Sequence, residues 1–240
     1  MSISRIRGLG RTFGVCLLLA MTSSGAAFPA DAPAPAVDDS RELVVLVHGM
    51  GRTRLSMFAM GWSLERAGYR VVNWGYSSTR GSVPELGVRL AGEVERQQGA
   101  APRVHFVTHS LGSIVVRWAL AHVPPPRAGR VVMLAPPNQG SRAADRYTRW
   151  VGWLLPAIRE LRTDDDATAR TLPLPGEVEV GVIAGARDGK VSVSESHLEG
   201  ERDHAVVPAY HTFIMNRGDV QGMVRRFLSE GSFGEAVRAH

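Results

Sequence analysis

Ser110 occupies a position in the chain at which a serine can act as a nucleophile. It lies in the segment T-H-S-L-G at residues 108–112, between an apolar run at 104–108 and a helix-like stretch at 111–123. A serine on so tight a strand-to-helix turn adopts a strained conformation that exposes its hydroxyl above the sheet. The usual pattern is G-x-S-x-G, and Thr108 replaces the first glycine. The context predicts a nucleophile elbow, with an ordinary serine N-cap as the alternative.

The segment H-G-M-G at residues 48–51 directly follows the first apolar run of the folded part. Attack on a carbonyl places negative charge on its oxygen, and each backbone N–H aimed at that oxygen stabilises it by about 3 kcal/mol. We assign the N–H of Met50 as one donor and the N–H of Leu111, at a helix N-terminus, as the other. His48 and Gly49 are predicted to contact the substrate, and a simple strand-ending turn is the alternative.

The elements around these residues alternate between strand and helix. Strands are predicted at 43–47, 69–74, 104–108, 131–134 and 178–184, with a further short apolar run at 205–208. Helices are predicted at 55–67, 83–98, 111–123 and 220–228. This alternation predicts an α/β fold with a mostly parallel central sheet, helices on both faces and ligand sites at the carboxyl ends of the strands.

Four segments together resemble the bacterial lipase and esterase branch of the α/β-hydrolases. They are the H-G-M-G turn, the T-H-S-L-G elbow, A-P-P-N-Q-G-S at 135–141 and D-G-K-V-S-V at 188–193. The resemblance covers residues 43 to about 228. It implies the α/β-hydrolase fold and a serine esterase or lipase that cleaves carboxylic esters.

A serine hydroxyl needs a base, and the base needs an orienting carboxylate, in the chain order serine, acid, histidine. The resemblance places the acid at Asp188, although an Asp-Gly pair by itself is commonest in β-turns. His211 precedes the last helix, where the family carries its histidine, and it is the predicted base. His204 is the alternative base, His197 is expected at the surface, and His109 is expected to line the pocket.

These roles predict a mechanism in which His211 takes the proton of Ser110 as the hydroxyl attacks an ester carbonyl. Asp188 would hold the imidazole tautomer, the Met50 and Leu111 amides would stabilise the oxyanion, and water would cleave the acyl-enzyme. The same residues would serve an acyltransferase, which is one alternative. A catalytically inactive hydrolase-like binding protein is the other.

An insertion at about 138–175 follows the fourth strand. Its middle, residues 147–161, mixes aromatic and aliphatic side chains with arginines. A helix of that composition can cover the pocket as a lid or contact lipid through its apolar face, and Trp150 and Trp153 are predicted to contact the substrate. A helix packed on the core is the alternative, and Pro156 would break or kink it.

The N-terminal residues are typical of an export signal. A basic leader precedes an apolar run at 13–21 and a stretch of small residues, so 1–27 is predicted to be a signal peptide. An uncleaved membrane anchor is the alternative. Residues 28–40 are predicted to be a disordered linker to one domain at 41–240. We therefore expect a periplasmic or secreted protein.

Charge and cysteine content exclude several classes of protein. The formal net charge of +5 falls to +2 (5 − 3) without Arg5, Arg7 and Arg11 of the leader, and the other arginines are scattered among acidic residues. Nucleic acid is therefore not an expected partner. The only cysteine, Cys16, lies in the leader, so the mature chain would have no disulfide or thiolate metal site.

No residue spacing implies a metal or a cofactor. The expected partner is an ester or lipid small molecule, with transient contact to a lipid surface. The sequence does not indicate the oligomeric state.

Overall fold

The computed structural model describes residues 40–173 and 177–234 of the protein. The predicted signal peptide, 1–27, and the linker up to residue 39 lie outside these ranges. Within the described part of the chain, no helix combines the length and the apolar character needed to cross a lipid bilayer.

Six parallel strands form one sheet among the described residues. They are β1 (Leu43–Val47), β2 (Arg70–Trp74), β3 (Val104–His109), β4 (Ala128–Leu134), β5 (Val180–Gly185) and β6 (Asp203–Val207). Their order across the sheet is β2-β1-β3-β4-β5-β6. Every residue of β1, β3 and β5 is buried, as expected for apolar runs covered on both faces. The predicted strands are confirmed, and most of the apolar run at 205–208 lies in β6 at the sheet edge.

Helices cover both faces of this sheet, as predicted. They are α1 (Phe58–Glu65), α2 (Val83–Gln98), α3 (Leu111–His122), α4 (Arg142–Val151), α5 (Pro156–Arg159), α6 (Thr168–Thr171), α7 (Val193–Ser196) and α8 (Gly218–Glu230). Successive side chains of a strand point to opposite faces, so β1 contributes to both halves of the core. Its residues Leu43, Val45 and Val47 pack with α2 and α3, whereas Val44 and Leu46 pack with α1 and α8.

Two predicted helices differ in detail from the structure. The helix expected at 55–67 begins with a 3-10 turn, Arg54–Met57, before α1, and the chain then turns at Gly68, where φ is +94°. In the insertion, α4 ends before Pro156, which occupies the first turn of α5, so the predicted break is confirmed.

The insertion is attached to the body of the fold by buried polar contacts. Arg117 of α3 is fully buried, and its guanidinium donates hydrogen bonds to the carbonyl oxygens of Ala169, at 2.8 Å, and Leu172. Burial lowers the pKa of Arg117 to about 10. The carboxylate of Glu160 accepts a hydrogen bond of 3.0 Å from the N–H of Val83 at the start of α2.

The strand order reverses between β1 and β3, because β2 lies on one side of β1 and the later strands on the other. In open parallel sheets, ligands bind outside the carboxyl ends of the strands at such a point. Val47, the last residue of β1, is paired with Thr108 of β3. The H-G-M-G turn and the T-H-S-L-G elbow therefore leave the sheet side by side.

Candidate active site

Ser110 has the strained backbone that its position between β3 and α3 predicts. Its φ is 52° and its ψ is −123°, a conformation that costs a residue other than glycine about 1–3 kcal/mol. Its N–H donates a 3.0 Å hydrogen bond to the carbonyl oxygen of Leu134, which holds the turn against β4. A Cβ at Gly112 would lie 2.8 Å from the carbonyl oxygen of His48, so only glycine permits this close packing.

Thr108 replaces the usual first glycine of the elbow, and its side chain is accommodated. The residue is fully buried, and its hydroxyl forms a 2.8 Å hydrogen bond with the hydroxyl of Ser113. A buried hydroxyl with a partner carries little free-energy cost. The departure from the usual pattern therefore leaves the turn intact.

The structure brings the predicted serine, acid and base together. Nε2 of His211 lies 3.1 Å from Oγ of Ser110, and Nδ1 of His211 lies 2.7 Å from Oδ2 of Asp188. The Asp188 side chain is completely buried, and its Oδ1 accepts hydrogen bonds from the N–H groups of Lys190 (2.7 Å) and Val191 (2.9 Å). With a proton on Nδ1, the imidazole donates to the carboxylate and presents the Nε2 lone pair to the serine hydroxyl.

His109 contacts the base rather than acting as one. It is almost completely buried, and its Nε2 lies 2.9 Å from the carbonyl oxygen of His211, which can only accept a hydrogen bond. Burial, followed by the charges of His211, Arg52 and Lys190, holds the pKa of His109 well below its usual range. The ring is therefore neutral, carries its proton on Nε2 and fixes the backbone of the base.

The H-G-M-G turn packs directly against the elbow. A Cβ at Gly49 would lie 2.8 Å from Nδ1 of His109, and the N–H of Gly51, whose φ is +66°, donates a 3.0 Å hydrogen bond to Oγ of Ser78. Among the described residues, the N–H groups of Met50 and Leu111 have no hydrogen-bond acceptor. Both amides are free to meet an oxyanion, which is the role predicted for them.

A cavity of about 420 Å³ opens at Ser110. Its apolar wall comes from Met50 and from the insertion, through Ala143, Ala144, Tyr147, Ile158 and Leu161. Its polar lining includes His109, His211, Arg52, Lys190 and Thr212.

Four residues predicted to contact the substrate lie outside this lining: His48, Gly49, Trp150 and Trp153. His48 is completely buried and stacks on Tyr76 at 4.2 Å, and the Tyr76 hydroxyl donates a 2.6 Å hydrogen bond to the His48 carbonyl oxygen. The buried His48 side chain thus supports the H-G-M-G turn from the protein interior, and burial lowers the pKa of His48. Trp150 and Trp153 are 75% and 78% exposed and face solvent.

Arg52 and Lys190 line the cavity and were not predicted as site residues, whereas Tyr147, which also lines it, belongs to the segment 147–161 that was expected to cover the pocket. The sequence carries weak signals for the first two. Arg52 directly follows the H-G-M-G turn, and Lys190, two residues after Asp188, is the only lysine of the chain.

The remaining late histidines form a separate cluster. Nδ1 of His197 and Nδ1 of His204 lie 2.7 Å and 2.8 Å from the same oxygen of Glu201, and the two rings stack at 3.9 Å. Within residues 40–173 and 177–234 these three side chains are the group that could hold a metal ion, since their donor atoms lie within 4.8 Å of one another. The carboxylate already pairs with both imidazoles, and none of the three lines the cavity. His204 is therefore not placed to act on Ser110.

The sheet order, the elbow and the position of the cavity define the α/β-hydrolase fold. The profile of the family described as "Putative serine esterase (DUF676)" matches residues 38–136, which include the turn and the elbow. No curated protein sequence matches the chain.

Solved structures of lipases and esterases share this fold. The mature lipase BlEst2 of Bacillus licheniformis is 22% identical, with a TM-score of 0.63 over 76% of this chain and 90% of the lipase. The metagenomic carboxyl esterase MGS0156 is 20% identical, with a TM-score of 0.62 over 78% of this chain and 70% of the esterase. Phospholipase PlaB of Legionella pneumophila is 17% identical, with a TM-score of 0.55 over 78% of this chain, which spans only 55% of PlaB.

Proposed function

We propose that the protein is a serine esterase that hydrolyses carboxylic esters through an acyl-enzyme on Ser110. The observation that carries the proposal is the continuous hydrogen-bonded chain from Asp188 through His211 to the strained Ser110, which lines a cavity. The family profile and the lipase and esterase neighbours also support a hydrolase activity.

In the proposed reaction, Oγ of Ser110 attacks the ester carbonyl while Nε2 of His211 accepts its proton. The negative charge on the carbonyl oxygen is met by the unpaired N–H groups of Met50 and Leu111. The protonated His211 then gives its proton to the departing alcohol. Water, deprotonated by the same imidazole, cleaves the acyl-enzyme and regenerates the serine.

Asp188 acts through His211. Its buried carboxylate fixes the Nδ1–H tautomer and stabilises the imidazolium that forms during attack. The two backbone N–H groups on Oδ1 prevent rotation of the carboxylate, so Oδ2 stays directed at the imidazole. The histidine is thereby held from both ends, by Asp188 at the ring and by His109 at the carbonyl oxygen.

The proposal includes transient contact with a lipid surface. Four large apolar side chains of α4 and the turn after it are exposed: Tyr147, Trp150, Trp153 and Leu154. Arginines flank them, and an apolar helix face bordered by arginines is the pattern of a peripheral lipid-binding segment. The neighbours named as a lipase and a phospholipase support this part of the proposal.

We also propose export, which rests on the leader at 1–27 alone. Mass spectrometry of the protein recovered from a periplasmic extract tests it. A mature N-terminus near residue 28 is expected, and a full-length chain found only in the cytoplasm would contradict export.

The esterase proposal is tested with 4-nitrophenyl esters of two to twelve acyl carbons. Ser110→Ala and His211→Ala are each expected to lose at least about 10³-fold in kcat, because the triad acts as a unit. Exposed residues of the same types supply the matched controls, Ser194→Ala and His122→Ala, which are expected to keep the parent rate. Full activity in Ser110→Ala would rule the proposal out.

A further inference from the structure

The cavity beside Ser110 is lined by two cationic side chains and no acidic one. Arg52 comes from the turn after β1, and Lys190 comes from the loop that carries Asp188. Within the described residues, neither Asp nor Glu contributes to this lining. A neutral ester as the substrate would not require a positively charged cavity lining.

Neither cation has a charged partner within residues 40–173 and 177–234, whereas two arginines of the neighbouring insertion, Arg142 and Arg170, each have one. Arg142 lies 3.5 Å from Glu195, and Arg170 lies 3.2 Å from Asp165. Nε of Arg52 is buried and has no hydrogen-bond partner. A buried donor without an acceptor is unfavourable unless a ligand supplies the acceptor.

The backbones of both residues are fixed, while their charged groups remain available. The N–H of Arg52 donates a 3.2 Å hydrogen bond to the carbonyl oxygen of Gly49, and its guanidinium carbon lies 5.7 Å from the centre of the Phe213 ring. The N–H of Lys190 bonds to Asp188, and its carbonyl oxygen accepts a 2.6 Å hydrogen bond from Oγ of Ser141. The two cations thus belong to the same loops that position the reacting groups.

We propose that Arg52 and Lys190 bind an anionic oxygen group, a carboxylate or a phosphate, that the substrate carries close to its scissile ester. This inference rests on the proposed esterase function and narrows its substrate class. A planar guanidinium presents several donors to such a group, and the ammonium of Lys190 adds a mobile positive charge. The anionic group takes no part in bond breaking, since hydrolysis yields the acid and the alcohol with the group unchanged.

Two matched pairs of substrates test the proposal and locate the anionic group. For the alcohol side, 1-butyrylglycerol 3-phosphate is compared with 1-butyrylglycerol. For the acyl side, the mono-4-nitrophenyl ester of glutaric acid is compared with the same ester methylated at its free carboxyl. In at least one pair, kcat/KM is expected to favour the anionic member by about 10- to 100-fold, the range of a charge-assisted hydrogen bond.

Variants then attribute the preference to the two side chains. Arg52→Gln and Lys190→Gln are each expected to lower the ratio of anionic to neutral kcat/KM by about 10-fold, and Arg52→Lys is expected to restore part of it. Arg54→Gln, an exposed arginine two residues away and outside the cavity, is the control and should leave the ratio unchanged. Thermal melting shows that each variant is folded, and Lys190→Gln carries the test if Arg52→Gln does not fold.

Hydrolysis of the neutral esters with no preference for either anionic member would overturn the proposal and leave the esterase function intact. An equal loss on both members of a pair in Arg52→Gln would also overturn it, because the arginine would then act on the reaction itself. If no ester of either pair is hydrolysed, the esterase function fails and the proposal fails with it.

Discussion

Replacement of Asp188 by asparagine is expected to put His211 in the wrong tautomer. Oδ1 of Asp188 accepts two backbone N–H groups, from Lys190 and Val191, so that site requires an oxygen. In Asp188→Asn the carbonyl oxygen keeps this site, and the NH₂ group takes the place of Oδ2, 2.7 Å from Nδ1 of His211. Nδ1 must then accept, the ring proton moves to Nε2, and the imidazole can no longer take the proton of Ser110.

The size of the expected loss in kcat follows from the free-energy cost of turning the side-chain amide of the Asp188→Asn variant into the opposite orientation. Turning the amide would leave two backbone N–H groups without an acceptor, at about 1–3 kcal/mol each. The sum is about 2–6 kcal/mol, so the productive orientation is populated at no more than a few per cent. With the charge of Asp188 also lost, kcat is expected to fall by about 10⁴-fold, the size associated with this change in a serine triad.

Steady-state hydrolysis of 4-nitrophenyl butyrate at pH 7.5 measures the effect. KM should change little, since Asp188 does not line the cavity. Asp165→Asn is the control, because that side chain is 99% exposed and should leave kcat unchanged. A kcat of Asp188→Asn within tenfold of the parent value would refute the tautomer argument.

Three further predictions concern the base, acid stability and lipid contact. His109→Phe removes the hydrogen bond to the His211 carbonyl oxygen, so kcat should fall about 10-fold and the urea midpoint should be lowered; an unchanged kcat would contradict the positioning role. Stability should fall as pH drops below about 6.5, because the unfolded chain then binds protons that the buried neutral histidines exclude, at up to about 1.4 kcal/mol per pH unit for each. The buried histidines are His48, His105 and His109. Urea midpoints at pH 5 and 7.5 measure this dependence of stability on pH, which should be absent if the three side chains are protonated in the folded state. Trp150→Ser with Trp153→Ser should lower the rate on vesicle-bound ester, relative to a soluble ester, roughly 10-fold through lost apolar burial, and an unchanged ratio would argue against lipid contact.

Local sequence features predicted the elbow and its strands well. A continuous apolar run before Ser110 and a helix-like stretch after it define the strand, the turn and the helix within about twenty residues, and the structure has all three. The start of α5 at Pro156 is equally local, since the first turn of a helix does not need the N–H that proline lacks. Such features depend on neighbours in the chain and need no knowledge of the tertiary contacts.

The surroundings of the site depend on long-range packing, and the sequence did not reveal them. The His48 ring packs against Tyr76, which follows β2, so the burial of His48 cannot be inferred from the H-G-M-G turn alone. The direction of the Trp150 side chain depends on how α4 packs against the core, in which Ala144 of that helix is buried. Arg52 and Lys190 are distinguished by their place in the cavity lining beside Ser110, which depends on the folded positions of two loops that are far apart in the sequence.

Covalent labelling of the mature chain with a fluorophosphonate tests the central claim, that Ser110 is the nucleophile. Intact-mass spectrometry and peptide mapping should find one adduct, on Ser110, which is absent in Ser110→Ala and formed much more slowly in His211→Ala. An unlabelled parent protein that still hydrolyses esters, or an adduct on another residue, would contradict the assignment of the nucleophile.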